Sequence, residues 1–476
     1  MLVKLILFFI LISGISFSQI TFQKTYGGIE EEDASAVVQT YDDGYMIAGS
    51  TRSYGAGNFD IYIIRTDAYG NPIWTKTFGG TGYDKAQDII KTGNSEYLIA
   101  AFSSTAVQAD IFLIKIDDNG DTLWTKTVGT ADNDHVTKIK NTNDGGFVLC
   151  GYTEKYFEYK YLIWKFDNLG NSLWAKSYDF GWAQSIEQTT DSGYVLIVYP
   201  YANLNPIQDF QLVKTDQFGD TLWTRFYGGA EVEVAYAGEQ TTDGGYIIAG
   251  RTDSYGGGNS DFYLLKTDSN GNFLWAKTYG GNLADRAFTA MQTSDEGYIL
   301  GGYTASFNAG FFDFYMVRTD SDGDTLWTKM YGGEWQEEIY DIEETSDGGF
   351  AAIGYTLSFG AGSNPNIYFI KTDPNGLISD VEDGINWNEM QYSLNQNFPN
   401  PFNPSTKISW QSPVGSWQSI KVFDVLGNEI ATLVNEYKPA GIYEVEFDGT
   451  GLPSGVYLYQ LKAGDYINTN NMLLLK

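Results

Sequence analysis

The phrase LWAKTYGG (Leu274–Gly281) recurs along the chain as IWTKTFGG (Ile73–Gly80), LWTRFYGG (Leu222–Gly229) and LWTKMYGG (Leu326–Gly333). Two other phrases alternate with it, and DGGYIIAG and DFYLLKTD are typical copies. Each of these two occurs seven times. The tryptophans of the first phrase stand 49 to 52 residues apart, at Trp74, Trp124, Trp174, Trp223, Trp275 and Trp327. A period of about 50 residues indicates a repeat architecture.

Each repeat contains four short segments with strand signals. Apolar and other residues alternate within these segments, and Asp-Gly-Gly or Asp-Xaa-Xaa-Gly-Asn turns separate them. A helical solenoid would require a 3.6-residue periodicity, and a parallel β-helix would require a shorter repeat. The pattern therefore predicts an all-β fold, a seven-bladed β-propeller with four-stranded blades. The recurring tryptophan is expected to pack between adjacent blades.

The first repeat-like segment of the chain, QITFQKTYGG (Gln19–Gly28), corresponds to the end of a repeat and has no earlier part of the repeat before it. The seventh repeat runs through NIYFIKTDPNG (Asn366–Gly376) but lacks a tryptophan phrase after it. An unclosed ring would leave two strand edges exposed. We therefore predict that Ile20–Tyr26 pairs beside Ile367–Asp373 as the missing outer strand and closes the last blade.

Composition and the N-terminal residues indicate an exported protein that does not bind nucleic acid. The formal net charge is −31, which repels phosphate backbones. Residues 1–18 combine a lysine, an apolar run and small residues before Gln19, as in a secretory signal peptide. No later stretch is apolar enough to span a membrane. One cysteine, Cys150, and one histidine, His135, exclude an intrachain disulfide and most histidine-based metal sites.

The third and fourth repeats depart from the pattern by gaining aromatic residues in their longer loops. The longer loops join the second strand of a repeat to the third, and one repeat to the next, so they lie on one face of the predicted propeller, which we call the long-loop face. Function usually lies on such loops, because a rigid scaffold presents them. A cluster of exposed aromatic side chains is typical of a glycan or protein contact. The alternative is that these rings only fill space left by lost glycines. The candidate ligand-binding residues are Tyr156, Phe157, Tyr159, Phe180, Trp182, Tyr199 and Tyr201.

Acidic residues recur four positions after each Gly-Gly pair or its equivalent, before the innermost strand. We expect them to ring the mouth of the central channel, where they could bind calcium or attract a basic partner. The alternative is that each caps its own turn. Counting along the repeats gives Gln184 in the fourth repeat and six candidate metal ligands: Glu32, Asp84, Asp134, Glu233, Asp285 and Glu337.

The last 80 or so residues predict a small immunoglobulin-like β-sandwich. They include NQNFPNPFNPSTKISW (Asn395–Trp410), KVFDVLGNEI (Lys421–Ile430), LPSGVYLYQL (Leu452–Leu461) and a terminal MLLLK. These phrases resemble the type A C-terminal sorting domain of type IX secretion substrates, found in Bacteroidetes and related bacteria. The resemblance implies export through the Sec system and then the type IX machinery, with residues 393–476 as the part that the machinery recognises. The repeats themselves resemble bacterial secreted β-propeller repeats, which implies no particular activity.

The sequence thus predicts a signal peptide (1–18), a propeller (19–376), a linker (377–392) and a sorting domain (393–476). We interpret the protein as a secreted or surface-attached monomer that acts as a binding or structural module for a glycan or protein. Two alternatives remain open: an extracellular glycan hydrolase using channel carboxylates, and a calcium-stabilised surface scaffold. No nucleophile elbow, zinc motif or phosphate loop is present, which favours a protein that is not an enzyme.

Overall fold

The computed structural model describes residues 19–475 except 94, 105–107, 157, 179, 201–208, 308–310, 361, 379–392, 395, 398, 413–415, 439–440 and 465. The expected signal peptide and most of the expected linker lie outside the described residues. Within the described ranges, all regular secondary structure is β. The chain divides into two compact units, one ending at Ser379 and the other beginning at Asp380.

The N-terminal unit is a β-propeller built from repeated four-stranded antiparallel sheets. Its first strand is β1 (Phe22–Tyr26), and twenty-seven more follow in chain order. These are β2 (Glu32–Gln39), β3 (Tyr45–Thr51), β4 (Asp60–Thr66), β5 (Pro72–Phe78), β6 (Tyr83–Lys91), β7 (Glu96–Ser104), β8 (Ala109–Asp117), β9 (Thr122–Val128), β10 (Asn133–Asn141), β11 (Phe147–Lys155), β12 (Glu158–Phe166), β13 (Ser172–Ser177), β14 (Gly181–Gln188), β15 (Tyr194–Pro200), β16 (Phe210–Thr215), β17 (Thr221–Tyr227), β18 (Glu233–Gln240), β19 (Tyr246–Thr252), β20 (Asp261–Thr267), β21 (Phe273–Tyr279), β22 (Asp285–Gln292), β23 (Tyr298–Thr304), β24 (Asp313–Thr319), β25 (Thr325–Tyr331), β26 (Glu337–Glu344), β27 (Phe350–Thr356) and β28 (Asn366–Thr372).

Each set of four consecutive strands from β2 to β25 forms one sheet, and β26, β27 and β28 form a last sheet with β1. Among the described residues this gives seven four-stranded sheets, which we call blades 1 to 7 in that order. The first strand of each blade lies innermost, because residues of β2, β6, β10, β14, β18, β22 and β26 line one central cavity.

The predicted closure by the N-terminal strand is confirmed. β1 pairs antiparallel with β28, with Phe22 opposite Lys371 and Tyr26 opposite Ile367. The Phe22 ring packs edge-on against Phe369, with ring centroids 5.1 Å apart. Phe22 and Tyr26 also belong to a buried cluster that joins blade 7 to blade 1. One short strand therefore both covers the edge of the last blade and helps to seal the ring.

The hydrophobic core of the propeller is a series of interfaces between neighbouring blades. For example, one buried cluster combines residues of blades 1 and 2, and the next combines residues of blades 2 and 3. The repeated tryptophan packs at these interfaces, as predicted. Trp74 Nε1 donates a hydrogen bond to the Asp118 carbonyl of the next blade at 3.0 Å. Its ring lies against Gly120, where a Cβ would come within 2.7 Å.

The C-terminal unit is also β. Its strands are β29 (Ser393–Leu394), β30 (Ser405–Ser412), β31 (Ser416–Phe423), β32 (Glu429–Lys438), β33 (Gly441–Asp448), β34 (Gly455–Ala463) and β35 (Tyr466–Leu474). They form one sheet in the order β29-β30-β33 and a second in the order β32-β31-β34-β35. A single core cluster includes Trp410 from the first sheet and Ile420 and Tyr459 from the second, as a two-sheet sandwich requires.

Candidate binding site at the channel mouth

A cavity of about 630 Å³ runs along the innermost strands of the seven blades. Each innermost strand carries one β-bulge, an extra residue that has no partner on the second strand. All seven bulge residues line the cavity. They are Ser35, Gln87, Thr137 and Gln184 in blades 1 to 4, and Tyr236, Phe288 and Tyr340 in blades 5 to 7. The channel therefore has an aromatic side and a side with smaller polar residues.

Three of the predicted aromatic residues meet where the innermost strand of blade 4 begins, although none of them is among the residues that line the cavity. The Trp182 ring stacks on Tyr199 with centroids 5.1 Å apart, and Tyr159 meets Trp182 edge-on at 5.0 Å. Tyr152 contacts both Tyr159 and Trp182 at 5.9 Å, and it stacks on His135 at 4.6 Å. All five side chains are half-buried. The cluster therefore presents ring surface to solvent while its geometry is held by mutual packing.

The cluster continues across two further blades. His135 contacts Phe102 at 5.4 Å, Phe102 stacks on Tyr83 at 5.6 Å, and Tyr83 meets Phe59 at 5.0 Å. The Lys85 ammonium group lies 4.0 Å from the centre of the Phe59 ring. We call this series the aromatic arc. It consists of Phe59, Tyr83, Phe102, His135, Tyr152, Tyr159, Trp182 and Tyr199.

Strand register explains how the arc forms. His135 stands directly opposite Tyr152 in blade 3, and Trp182 stands opposite Tyr199 in blade 4. Both pairs occupy the start of the innermost strand and the end of the second strand, so they lie at the long-loop face. Our sequence analysis searched the loops and missed the four members on regular strands in blades 2 and 3, Tyr83, Phe102, His135 and Tyr152. Aligning the residue two positions before each bulge with its cross-strand partner would have shown Phe102, His135 and Tyr152, but not Tyr83.

Polar groups border the arc around blade 3. The Tyr159 hydroxyl donates to Glu154 Oε1 at 3.4 Å, and Lys155 pairs with Asp132 at 3.0 Å. Burial lowers the pKa of His135 below its ordinary value. The imidazole is therefore neutral at pH 7 and offers one donor and one acceptor nitrogen. Burial raises the pKa of Tyr152 to about 12, so its hydroxyl stays protonated.

Two other predicted aromatic residues, Tyr156 and Phe180, are not members of the arc. The Tyr156 side chain is 89 % exposed and sits in the turn between β11 and β12 with a left-handed φ of 50°. Phe180 is half-buried and precedes β14, with a φ of 55°. Phe157 and Tyr201 lie outside the described residues.

The six candidate metal ligands are buried within the blades and are not among the residues that line the cavity. Four of them accept hydrogen bonds on both oxygens from their own loops: Glu32, Glu233, Asp285 and Glu337. Glu32, for example, accepts from Gly28 N at 2.8 Å, Thr51 Oγ1 at 2.7 Å and Ser53 N at 3.1 Å. Asp84 and Asp134 each keep one buried oxygen without a hydrogen-bond partner. Turn capping thus accounts for four of the six acids.

In the fourth repeat, counting along the sequence assigned the wrong residue to the position of the repeated acid. Gly181, and not Gln184, takes the position of the repeated acid, because Gly181 pairs with Pro200 as Glu233 pairs with Thr252. Gln184 is the bulge residue. The loop between blades 3 and 4 is shorter than the others and lacks the Gly-Gly turn. Counting four positions from the Gly-Gly pair or its equivalent could not detect this change.

The carboxylates that do line the channel were not predicted. Glu187, Glu239 and Glu343 each accept a backbone N–H from the innermost strand of the next blade, the N–H of Gln240, Gln292 and Gln39 respectively. Lys138 lies 3.3 Å from Asp88 Oδ1 and 3.7 Å from Asp341 Oδ1. Burial would lower the pKa of Lys138, but Asp341 and Asp88 raise it, so the lysine stays charged. The three glutamates and the Lys138–Asp88 pair join adjacent blades, and the Lys138–Asp341 pair joins blade 3 to blade 7 across the channel. Among the described residues no cluster of three or more His, Cys, Asp or Glu side chains is arranged to hold a metal ion.

We expect the channel carboxylates to destabilise the propeller above neutral pH. Burial, with the Glu187 carboxylate nearby, raises the pKa of Glu239 to about 7, and burial also raises the pKa of Glu343 to about 7. An unfolded chain would release these protons near pH 4.5. The folded state therefore holds more protons between about pH 4.5 and 7, and the free energy of unfolding falls as the pH rises through that window.

Glu239→Gln tests this expectation because the amide oxygen can still accept the Gln292 N–H. At pH 8 the variant should be more stable than the wild type by on the order of 1–2 kcal/mol, and the difference should shrink towards pH 5. Urea unfolding at both pH values measures it. The pKa of His135 is lowered by burial, so its titration makes the folded protein more stable as the pH rises. Variant and wild type are therefore compared at the same pH, where this contribution is common to both. The exposed Glu30→Gln is the control, and equal behaviour of the two variants would contradict the expectation.

Comparison with known proteins identifies the C-terminal unit. Residues 396–475 match the family described as the secretion system C-terminal sorting domain. These residues form a type IX sorting domain. The sorting domain marks proteins for the cell surface or the extracellular space, so the predicted export of this chain is confirmed. The described part of the chain contains no apolar helix of membrane-spanning length.

Solved structures similar to this chain share little sequence identity with it. No curated protein matches the chain. One similar solved structure is that of PorZ, a surface component of the type IX secretion system of Porphyromonas gingivalis. The two proteins share 10 % sequence identity with a TM-score of 0.44, and the match covers 95 % of this chain and 60 % of PorZ. The chain thus spans less than two thirds of the length of PorZ. The propeller domain of a Pyrococcus furiosus protease is similar at 12 % identity with a TM-score of 0.41, over 78 % of this chain and 99 % of that domain. The polysaccharide lyase Uly1 is similar at 11 % identity with a TM-score of 0.44, and the match covers 73 % of this chain and 90 % of the Uly1 chain.

Proposed function

We propose that this protein is an exported carbohydrate-binding module whose propeller contacts a glycan through the aromatic arc. We also propose that the propeller spans residues 19–376, that residues 377–392 link it to a sorting domain at 393–476, and that residues 1–18 are removed as a signal peptide. The module acts as a monomer, and the sorting domain delivers it to the cell surface or beyond.

The observation that carries the proposal is the packing of Tyr159, Trp182 and Tyr199 at the long-loop face. Each ring is half-buried, so it is held in place and still offers part of its surface. The electron-rich face of an aromatic ring attracts the C–H groups of a sugar ring, which carry partial positive charge. The His135 imidazole and the Glu154 carboxylate are close enough to the rings to hydrogen-bond sugar hydroxyls.

Charge also favours a neutral ligand over a nucleic acid or an anionic surface. The chain carries a net charge of −31, and the groups around blade 3 include Asp132 and Glu154. An uncharged glycan has no repulsion to overcome at such a surface. Apolar ring surface with a few directional polar groups is the usual composition of a small-ligand site.

The test is a glycan array probed with the mature full-length chain, followed by calorimetry with the best glycan. Trp182→Ala and Tyr199→Ala should each weaken binding by about 30-fold, as expected when a central aromatic contact worth about 2 kcal/mol is lost. Phe218→Ala is the matched control, since Phe218 is 59 % exposed in a tight turn on the opposite face.

Three outcomes separate this proposal from its rivals. Equal binding by Trp182→Ala and the control would place the glycan elsewhere on the protein. Absence of binding to any glycan, with capture of a protein ligand instead, would replace the glycan by a protein partner. Release of shortened sugars from bound polysaccharide would indicate the hydrolase alternative. The described channel carboxylates are engaged in hydrogen bonds between blades, so we expect no such release.

A further inference from the structure

One arginine at the start of an innermost strand has no partner within the described part of the chain. Arg286 is the second residue of β22, and it makes no ion pair and no hydrogen bond with a described residue. Its Nε is fully buried, whereas its two terminal nitrogens are not. The centre of its guanidinium group lies 5.8 Å from the centre of the Tyr303 ring, which stands opposite. A guanidinium group keeps its charge and offers five N–H donors, and none of them is used by the described protein.

The other arginines of the chain are engaged. Four of them pair with carboxylates: Arg52, Arg65, Arg251 and Arg318. Arg225 donates to the Thr224 carbonyl at 3.1 Å. The chain has 60 acidic residues against 29 lysines and arginines, so acidic partners are plentiful. A half-buried cation without a partner is costly, and an anionic ligand would remove that cost.

A second guanidinium group lies close by on blade 5. Burial raises the pKa of Tyr303 to about 12, and the positive charges of Arg286 and Arg251 limit that rise. Both guanidinium groups therefore lie near the Tyr303 hydroxyl. Arg251 Nη1 pairs with Asp253 at 2.6 Å, whereas its Nε is buried and has no hydrogen-bond partner. The two arginines belong to neighbouring blades, and both lie at the long-loop face.

An aromatic floor lies next to Arg286 on the same strand. Phe288 is two residues further along β22, and both side chains are half-buried while Ala287 between them is buried. The two side chains therefore point to the same side of the strand, about 6.5 Å apart. Phe288 lines the central cavity, with Tyr236 edge-on at 5.0 Å and Tyr340 at 5.6 Å. The unpaired cation and a partly exposed ring are thus separated by about the width of a sugar ring.

We propose that Arg286 and Phe288 form a binding site for a hexuronate, a sugar that carries a carboxylate at C6. The carboxylate accepts two parallel hydrogen bonds from the terminal nitrogens of Arg286, because the planar guanidinium fork matches its geometry. The C–H groups on one face of the sugar ring rest on Phe288, and Arg251 adds a second positive charge. This site occupies blades 5 and 6, whereas the aromatic arc occupies blades 1 to 4. The proposal therefore does not depend on the ligand of the arc.

Local charge favours a single carboxylate over a phosphate or an acidic peptide. Burial raises the pKa of Glu338 on blade 7, and the charge of Arg286 opposes that rise, so this acid lies nearby. Glu338 accepts the Tyr340 hydroxyl at 3.3 Å. With Glu338 and Asp253 close by, a dianion or a row of acidic side chains is repelled, whereas one carboxylate is balanced by Arg286 and Arg251. The other charges of the chain, with a net value of −31, are screened beyond about 8 Å at physiological ionic strength.

The experiment titrates the mature full-length chain with methyl glucuronide and methyl galacturonide and follows binding by ligand-observed NMR. Methyl glucoside and methyl galactoside are the neutral probes, and N-acetylglutamate carries a carboxylate without a sugar ring. The two uronides should bind more tightly than these three probes. Arg286→Met should weaken uronide binding about tenfold or more, the loss expected for hydrogen bonds to a charged group. Arg225→Met is the matched control, because Arg225 also lies over an aromatic ring, that of Trp223 at 5.2 Å, but on the outermost strand of blade 4.

Three results would overturn the proposal. The first is uronide binding that is no tighter than the binding of the neutral glycosides. The second is equal uronide binding by Arg286→Met and Arg225→Met. The third is binding of N-acetylglutamate as tight as that of the uronides, because a peptide carboxylate would then be the ligand.

Two further variants keep this test specific. Arg286→Lys keeps the charge but not the planar fork, so it should weaken uronide binding less than Arg286→Met does. Trp182→Ala should leave uronide binding unchanged, so that this site and the aromatic arc are tested separately. Each variant is first checked for the wild-type circular dichroism spectrum.

Discussion

We expect a chain that begins at Gly27 instead of Gln19 to lose its cooperative thermal transition. Such a chain lacks β1, and the edge of β28 with its paired residues Ile367 and Phe369 is then uncovered. It also loses Phe22 and Tyr26 from the cluster that joins blade 7 to blade 1. Losing one buried aromatic side chain costs about 3–5 kcal/mol. Two such losses, with the strand pairing, approach the total stability of about 5–15 kcal/mol typical of a domain.

Circular dichroism melts and size-exclusion chromatography measure this effect. Adding the peptide QITFQKTYGG (Gln19–Gly28) in trans should restore the transition, because the strand edge that it pairs with is intact. Phe22→Ala in the full chain should destabilise strongly, whereas Thr25→Ala on the exposed side of β1 should have little effect. A truncated chain that melts cooperatively at the wild-type temperature would show that the ring does not depend on β1.

The second large effect is expected at Gly323, in the turn between β24 and β25. Its φ is +76°, and a Cβ would stand 2.7 Å from the Trp275 ring of the preceding blade. Gly323→Ala should therefore lower the free energy of unfolding by about 2–5 kcal/mol. About 1–2 kcal/mol comes from placing an L-residue in the left-handed region, and about 1–3 kcal/mol comes from overpacking the blade interface.

Gly145→Ala separates these two contributions. Gly145 has a φ of +82°, but a Cβ there would meet nothing within 4 Å. This control should cost only about 1–2 kcal/mol, the conformational part. Urea unfolding of the two variants measures the difference, which reports the tryptophan contact. Equal destabilisation of the two proteins would show that the Trp275 ring moves aside without cost.

The sequence alone determined the repeated unit, the strands within it and the closing role of Ile20–Tyr26. These features are encoded locally, by alternating residues and turn residues, and seven copies make the local signal clear. It also determined the sorting domain, whose motifs are short and contiguous. The type of fold and the export route therefore required no knowledge of contacts between distant residues.

The tertiary structure decided which side chains meet. The aromatic arc joins residues of four blades, and it depends on the cross-strand partners of Tyr152 and Trp182 and on the short loop that puts Gly181 where the other blades have an acid. Strand register, β-bulges and the packing of one blade on the next decide which of these side chains come into contact. An alignment of the repeats contains no information on any of these three features. The role of Gln19–Gly28 could be assigned from the sequence alone. The sequence also singled out Tyr159, Trp182 and Tyr199, but their contacts with one another and with His135 and Tyr152 could not be predicted, because these residues are distant in the chain and adjacent only in the folded protein.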